Sequence, residues 1–234
     1  MIPMTGRTPS VIELNPAISP PTALPDRIYA TLKHRILTCS MRPGERIVEK
    51  ELCKEMQVSR TPLREAFNRL SLEGLIVLSP YRGYAVAPVT VQGYRELCEL
   101  RRIVEGGTAA RAAEMATPED ARRMVETAET RYTPGDRESY LGYLRKNSAF
   151  HLSVVQCTRN RQLEAILMSA LDRHQRPLYL GLDVGIDGEA STREHFEISE
   201  AVSNHESEKA RTLMVKHIAQ AEERIVSALR AAGF

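Results

Sequence analysis

The chain has 234 residues, 42% of them hydrophobic, with 32 Lys+Arg against 30 Asp+Glu. That length suits two domains, each with apolar residues enough for a core. No run approaches the ~18 apolar residues of a membrane-spanning helix, and the Pro-rich N-terminus lacks the apolar stretch of a secretory signal. Cys39, Cys53, Cys98 and Cys157 are scattered with no CxxC pair. They read as reduced, mostly buried small hydrophobes of a cytoplasmic protein.

The net charge of +2 is uninformative, but its distribution is not. Residues 25–90 carry 11 Lys+Arg against 7 Asp+Glu, and residues 91–234 carry 20 against 22. A basic front half and a slightly acidic back half fit nucleic-acid binding in front and another task behind.

Residues 1–24 hold five prolines and no periodic pattern, which predicts a flexible tail. From Pro25 the pattern turns helical, with Ile28, Leu32, Ile36 and Leu37 as an apolar stripe. The stretch from Met41 to Gly44 breaks it, and Arg46 to Val48 reads as a short strand. A second helix is expected over Glu49–Met56, then a tight turn at Gln57–Val58, then a third helix capped by Ser59 with Leu63, Phe67 and Leu70 on one face. Two β-prone runs, from Leu75 to Leu78 and from Tyr84 to Val86, flank a Pro/Gly turn and predict a hairpin. Over residues 25–88 this order predicts a winged helix-turn-helix with a small β-hairpin wing. Pro88 to Thr90 form the linker.

Residues 91–234 show only helical patterning, broken at Thr117–Pro118, Thr133–Gly135, Arg159–Asn160, Gly181–Gly188 and Asn204–His205. That predicts an all-α bundle of about six helices, so the fold class is mainly α.

On the third helix Arg60, Arg64 and Asn68 recur at i, i+4 and i+8, opposite the apolar face, with Thr61 in the first turn. Arginine can hold guanine bidentately, and threonine and backbone N–H groups can grip phosphate. Lys50 and Arg82 are placed to reach flanking backbone. From spacing alone, ordinary solvated charges explain the pattern equally well. The stretches Pro43–Arg46 and Val58–Ala66, with Leu70 and Glu73–Leu75, resemble the DNA-binding domain of the GntR superfamily over most of residues 27–88. The resemblance implies that Lys50, Arg60, Thr61, Arg64 and the wing tip Arg82–Gly83 contact double-stranded DNA. Pro62 is tolerated there because the first turn of a helix has no use for its missing N–H.

The back half holds His151, His174, His195, His205 and His217. Asn147 and His151 share a helix face at i and i+4. Three packed helices can bring His151, His195 and His217 together, but the spacings are long, and a histidine on an apolar face is more often a core residue than a ligand. Arg101 falls on the face marked by Leu97, Leu100, Val104 and Thr108, where burial requires a partner. That partner is either Glu105 at i+4 or the carboxylate of a bound ligand.

Leu100–Arg101 with Val104–Glu105, the run from Asn147 to His151, Asn160, Glu194–His195, Ala210–Arg211 and His217 resemble the FadR-type C-terminal domain of the same superfamily. That resemblance implies a divalent metal, zinc, nickel or manganese among the options, held by one carboxylate and three histidines. His151, His195 and His217 match the pattern; Asn147 stands where the family most often has aspartate. A neutral amide leaves the full charge on the ion, which then binds less tightly but is a better acceptor for an anion. The resemblance also favours Arg101 as a fork for an effector carboxylate, and matches neither His174 nor His205, which read as structural or surface residues.

A ligand-responsive regulator is therefore expected, binding a two-fold operator as a homodimer with its affinity set by a small organic acid. A metal-dependent enzyme and a pure metal sensor are the alternatives on the same three histidines. Against the enzyme stand the missing HExxH and a Glu194 whose place beside His195 points it elsewhere on the helix.

Overall fold

A computed structural model describes residues 23–79, 83–185 and 188–234. All but the last two residues of the expected tail, and Arg82 at the wing tip, lie outside the described residues.

Helix α1 (Leu24–Leu37) carries Pro25 in its first turn, where the missing N–H costs it no hydrogen bond, and buries Ile28, Leu32, Ile36 and Leu37. Helix α2 (Glu49–Met56) stops because Gln57 takes the left-handed conformation, with φ +56. Helix α3 (Arg60–Leu72) follows within four residues. Ser59 occupies its N-cap position but makes no side-chain cap bond, which corrects the capping role expected of it. Strands β1 (Ile76–Ser79) and β2 (Gly83–Val86) pair antiparallel, Ile76 opposite Val86. The strand expected at Arg46–Val48 reduces to one bridge between Arg46 and Ala85. Leu32, Leu63, Phe67, Leu70 and Val86 close the core of this head.

The bundle begins at α4 (Val91–Met115), capped by the Thr90 hydroxyl, which accepts from the Gly93 N–H. Helix α5 (Pro118–Ala128) opens on a reciprocal box in which Thr117 and Asp120 cap each other's backbone. Then come α6 (Arg137–Cys157), α7 (Arg161–Val184), α8 (Gly188–Ser203) and α9 (Ser207–Ala231). Gly181 does not break the chain: it lies inside α7, and the stop comes at Gly185, φ +86. The break expected over Gly181–Gly188 thus falls in the later part of that span, because α7 buries Leu178 and Leu182 on either side of Gly181 and packing outweighs glycine's weak helix propensity. Helices α4 and α9 approach so closely at Gly106 that a Cβ there would stand 2.8 Å from Val215 Cγ2. A second core, containing Tyr94, Met124, Phe150, Ile198, Met214 and Ile218, holds the bundle together.

Candidate functional site

Two surfaces carry chemistry. On the head, α3 buries Leu63, Phe67 and Leu70 completely, which turns Arg60, Thr61, Arg64 and Asn68 outward. Arg64 Nε donates to Glu49 Oε2 on α2 at 3.0 Å. Lys50 is exposed on α2, and Gly83 opens β2 with φ +77, a conformation natural to glycine.

In the bundle, α6, α8 and α9 bring His151, His195 and His217 together, with one ring nitrogen from each within 4.8 Å of the others. All three are buried. An oxygen stands near each Nδ1, as a hydrogen-bond partner at His195 and His217 and as a close charged contact without hydrogen-bond geometry at His151. His151 Nδ1 stands 2.5 Å from Glu105 Oε2, His195 Nδ1 donates to the Ala128 carbonyl at 3.2 Å, and His217 Nδ1 lies 2.6 Å from Glu194 Oε2. With the proton on Nδ1, each Nε2 carries the lone pair. His195 Nε2 is buried and has no hydrogen-bond partner. Arg101 Nη2 stands 3.2 Å from His151 Nε2 and donates to it, so a cationic guanidinium sits at one candidate ligand nitrogen.

Protonation states suit a cation. Burial pushes His151 down to about 4, with Glu105 opposing in part. Burial likewise drives His195 well below the usual imidazole range. Against the opposing effect of burial, His217 and Arg224 hold Glu194 down to about 2. Against the same opposition, Arg101 and His151 hold the Glu105 carboxyl far below its usual range. At His151 and His195 burial thus favours the neutral imidazole, the form that ligates metal.

The enclosed space is small, about 10 Å³, and is lined by Arg101, Asn147, His151, His174, His217 and Arg224 among others. It has room for one water-sized body. His195 does not line that space, but its orphaned Nε2 converges with the nitrogens of His151 and His217, which do, and that donor set fits a divalent ion that accepts imidazole.

Asn147 and Arg101 reach this cavity as read from the sequence, but other details differ. Leu100 is 37% exposed, so the inward face of α4 runs through Leu97, Arg101, Glu105 and Thr108 instead. Arg101 already has its helical partner, since Nε donates to Glu105 Oε1 at 2.6 Å. Glu194 does not point away: it backs His217. His174 lines the cavity and stacks on Tyr94 with ring centroids 5.7 Å apart. Its position in the buried stripe Leu167, Leu171, His174, Leu178 was the available signal. His205 is structural, with Nδ1 bonded to the Ala113 carbonyl at 2.7 Å.

Comparison with known proteins places both halves. The family described as "Bacterial regulatory proteins, gntR family" matches residues 24–86, and the FCD domain matches residues 96–220. The HTH-type transcriptional repressor RspR of Escherichia coli is 26% identical over 211 residues, covering 89% of this chain and 91% of the repressor. The galactonate operon transcriptional repressor of the same organism is 27% identical over 224 residues, covering 86% and 96%. In fold the chain is similar to the solved structure of E. coli McbR/YncC, with TM-score 0.67 and 21% identity over 88% of this chain and 98% of that one. Among the described residues no helix is long and apolar enough to cross a membrane. A winged head with an outward basic helix, joined to an FCD bundle, makes this chain a member of the GntR family of bacterial transcriptional regulators.

Proposed function

We propose that this regulator binds a two-fold operator as a homodimer and that a small carboxylate, taken up at a divalent ion in the three-histidine cavity, changes its DNA affinity. The observation that carries the sensing half is the cluster itself. The Nδ1 atoms of His195 and His217 are bonded to oxygens, that of His151 stands 2.5 Å from the Glu105 carboxylate, and the Nε2 of His195 is left buried without a partner. His151, His195 and His217 would hold the ion, with Asn147 beside them as a neutral amide. A bound ion supplies positive charge and an open position for an anion. Arg101 must release His151 Nε2 before that nitrogen can ligate, and its guanidinium is then available to a carboxylate. On the head, Arg60, Thr61, Arg64 and Lys50, with Arg82 and Gly83 of the wing, would contact DNA. Leu100 and Ile103, 37% and 72% exposed on α4, support a surface for pairing two chains. The galactonate operon repressor, by its name, governs the operon of a sugar acid, which suits a carboxylate signal.

The size of the cavity favours a second reading, a pure metal sensor, since about 10 Å³ takes an ion and not an organic acid without expansion. One experiment separates the two. A DNA fragment selected by the protein from a random library is titrated with EDTA-stripped protein, zinc-loaded protein, and zinc-loaded protein with small acids. A change on adding acid to the zinc-loaded form, and none on adding it to the stripped form, supports the proposal. A full response to zinc alone supports the sensor. No response to either rejects a sensing role for the cavity.

A further inference from the structure

One turn of α7 faces two ways. His174 and Leu178, at i and i+4, line the histidine cavity. Asp172 and Arg176, also at i and i+4, lie on the other side of the helix and hold the head. Asp172 forms an ion pair with Lys33 of α1, and Lys33 pairs in turn with Glu73 at the end of α3, at 2.9 Å. Arg176 donates through Nη1 to the carbonyl of Ala87, the residue between β2 and the Pro88–Thr90 linker.

Arg176 is an unusual tether. It is 5% exposed, and among the described residues no carboxylate pairs with it. Its Nε is buried with no hydrogen-bond partner. A guanidinium buried on a single backbone carbonyl contributes little to stability, because desolvation outweighs one neutral hydrogen bond. The next residue, Pro177, sits inside α7 without an N–H to donate to the turn before it, so the helix is weakest where its two faces must act together.

We infer that Arg176 is a positioning residue for the DNA-binding head: through Ala87 it couples the state of the histidine cavity to the linker, with Asp172–Lys33 as the second hold. This rests on the reading of the cavity as a site for an ion and a small acid. Any widening of the cavity displaces His174 and Leu178, and the same turn then carries Arg176 and Asp172 against the linker and α1. His174 and Leu178 stand two residues to either side of Arg176 on α7, so no long chain of side chains is needed.

The test follows backbone hydrogen exchange in the peptide spanning residues 84–94 of the full chain. Samples are stripped with EDTA, loaded with zinc, or loaded with zinc plus acetate or malonate. Zinc affinity is measured in parallel by calorimetry. In the unaltered chain, zinc or zinc plus acid should change exchange in this peptide by about threefold or more. In Arg176→Met, which keeps the packing and removes the unpaired charge, zinc affinity should stay within about threefold and the exchange response should vanish. Arg176→Lys, which keeps a donor for Ala87, should retain part of it. A full response in Arg176→Met overturns the coupling and leaves the cavity reading intact. So does an unaltered chain that binds zinc with no response in any sample. Failure of the unaltered chain to bind zinc, nickel or manganese rejects the cavity reading and this inference with it. Should Arg176→Met fail to fold, Asp172→Asn, on the less buried tether, must halve the response or the inference fails.

Discussion

Glu194 and His217 meet between α8 and α9 with 2.6 Å from carboxylate Oε2 to Nδ1, and Arg224 grips the same carboxylate at 2.9 and 3.1 Å. The carboxylate keeps the proton on Nδ1 and turns Nε2 to the cavity. Such outer partners change metal affinity ten- to a hundredfold in other proteins. Glu194→Gln should therefore weaken zinc binding by roughly tenfold or more in calorimetry, with helix content unchanged by circular dichroism. Unchanged zinc affinity would mean that Glu194 only ties α8 to α9.

Asn147, buried against the cavity one turn before His151, gives the second prediction. Asn147→Asp should tighten zinc binding, because a carboxylate adds negative charge beside a dication. It should weaken binding of a small acid to the zinc-loaded protein, because the two carboxylates repel. The two calorimetric titrations should move in opposite directions. If neither moves, Asn147 is outside the coordination sphere and the site has three histidines only.

Much of this architecture is legible in local sequence signals. Thr90, Thr117–Pro118, Asn160 and Gly185 mark bundle helix ends, but α5 stops at Ala128, short of the break expected at Thr133–Gly135, and no capping side chain marks the start of α9. The six bundle helices and the hairpin follow from such signals together with apolar periodicity. The site is less legible, because His151, His195 and His217 lie on three helices and periodicity cannot say which faces converge; resemblance supplied that. Glu194 was misjudged because adjacent helix residues point about 100° apart. Yet α8 lies between α5 and α9, so His195 reaches Ala128 on one side while Glu194 reaches His217 on the other. His174 was hidden by sitting in an otherwise apolar stripe, where a core role is the usual outcome.

On the head, Arg64 is tied to Glu49 by a pair that stays open to solvent and is therefore easily exchanged for DNA. Arg64→Ala should weaken binding to a selected operator by roughly five- to a hundredfold if it reads a guanine. If it meets only phosphate, binding should fall evenly across sequences and the salt slope should become shallower by about one. Operator affinity unchanged in both Arg60→Ala and Arg64→Ala would remove α3 from the interface.

Asp120 sets an acid limit on bundle stability. It caps α5 through the Thr117 N–H at 3.0 Å and pairs with Arg159 at 2.7 Å. Arg159 holds its carboxyl far below the usual range, against a smaller opposing effect of burial. A folded-state pKa below the unfolded value of about 3.9 stabilises the fold above that value, and the stabilisation is lost as pH falls through the folded pKa. Thermal melts of the unaltered chain should therefore drop below about pH 4, and Asp120→Asn should flatten that part of the profile while lowering stability near neutrality by ~1–2 kcal/mol. An identical acid limb in Asp120→Asn would assign the loss to other carboxylates.

The metal content of the histidine cavity is the most direct measurement. Protein purified without chelator and analysed for elements should carry up to one zinc, nickel or manganese per chain, or take one up on addition. His195→Ala, which removes the orphaned Nε2, should lose it while keeping its DNA affinity without effector. An unaltered chain that neither carries nor binds a divalent ion, or a His195→Ala variant that binds it as tightly, would contradict a cation site built on His151, His195 and His217.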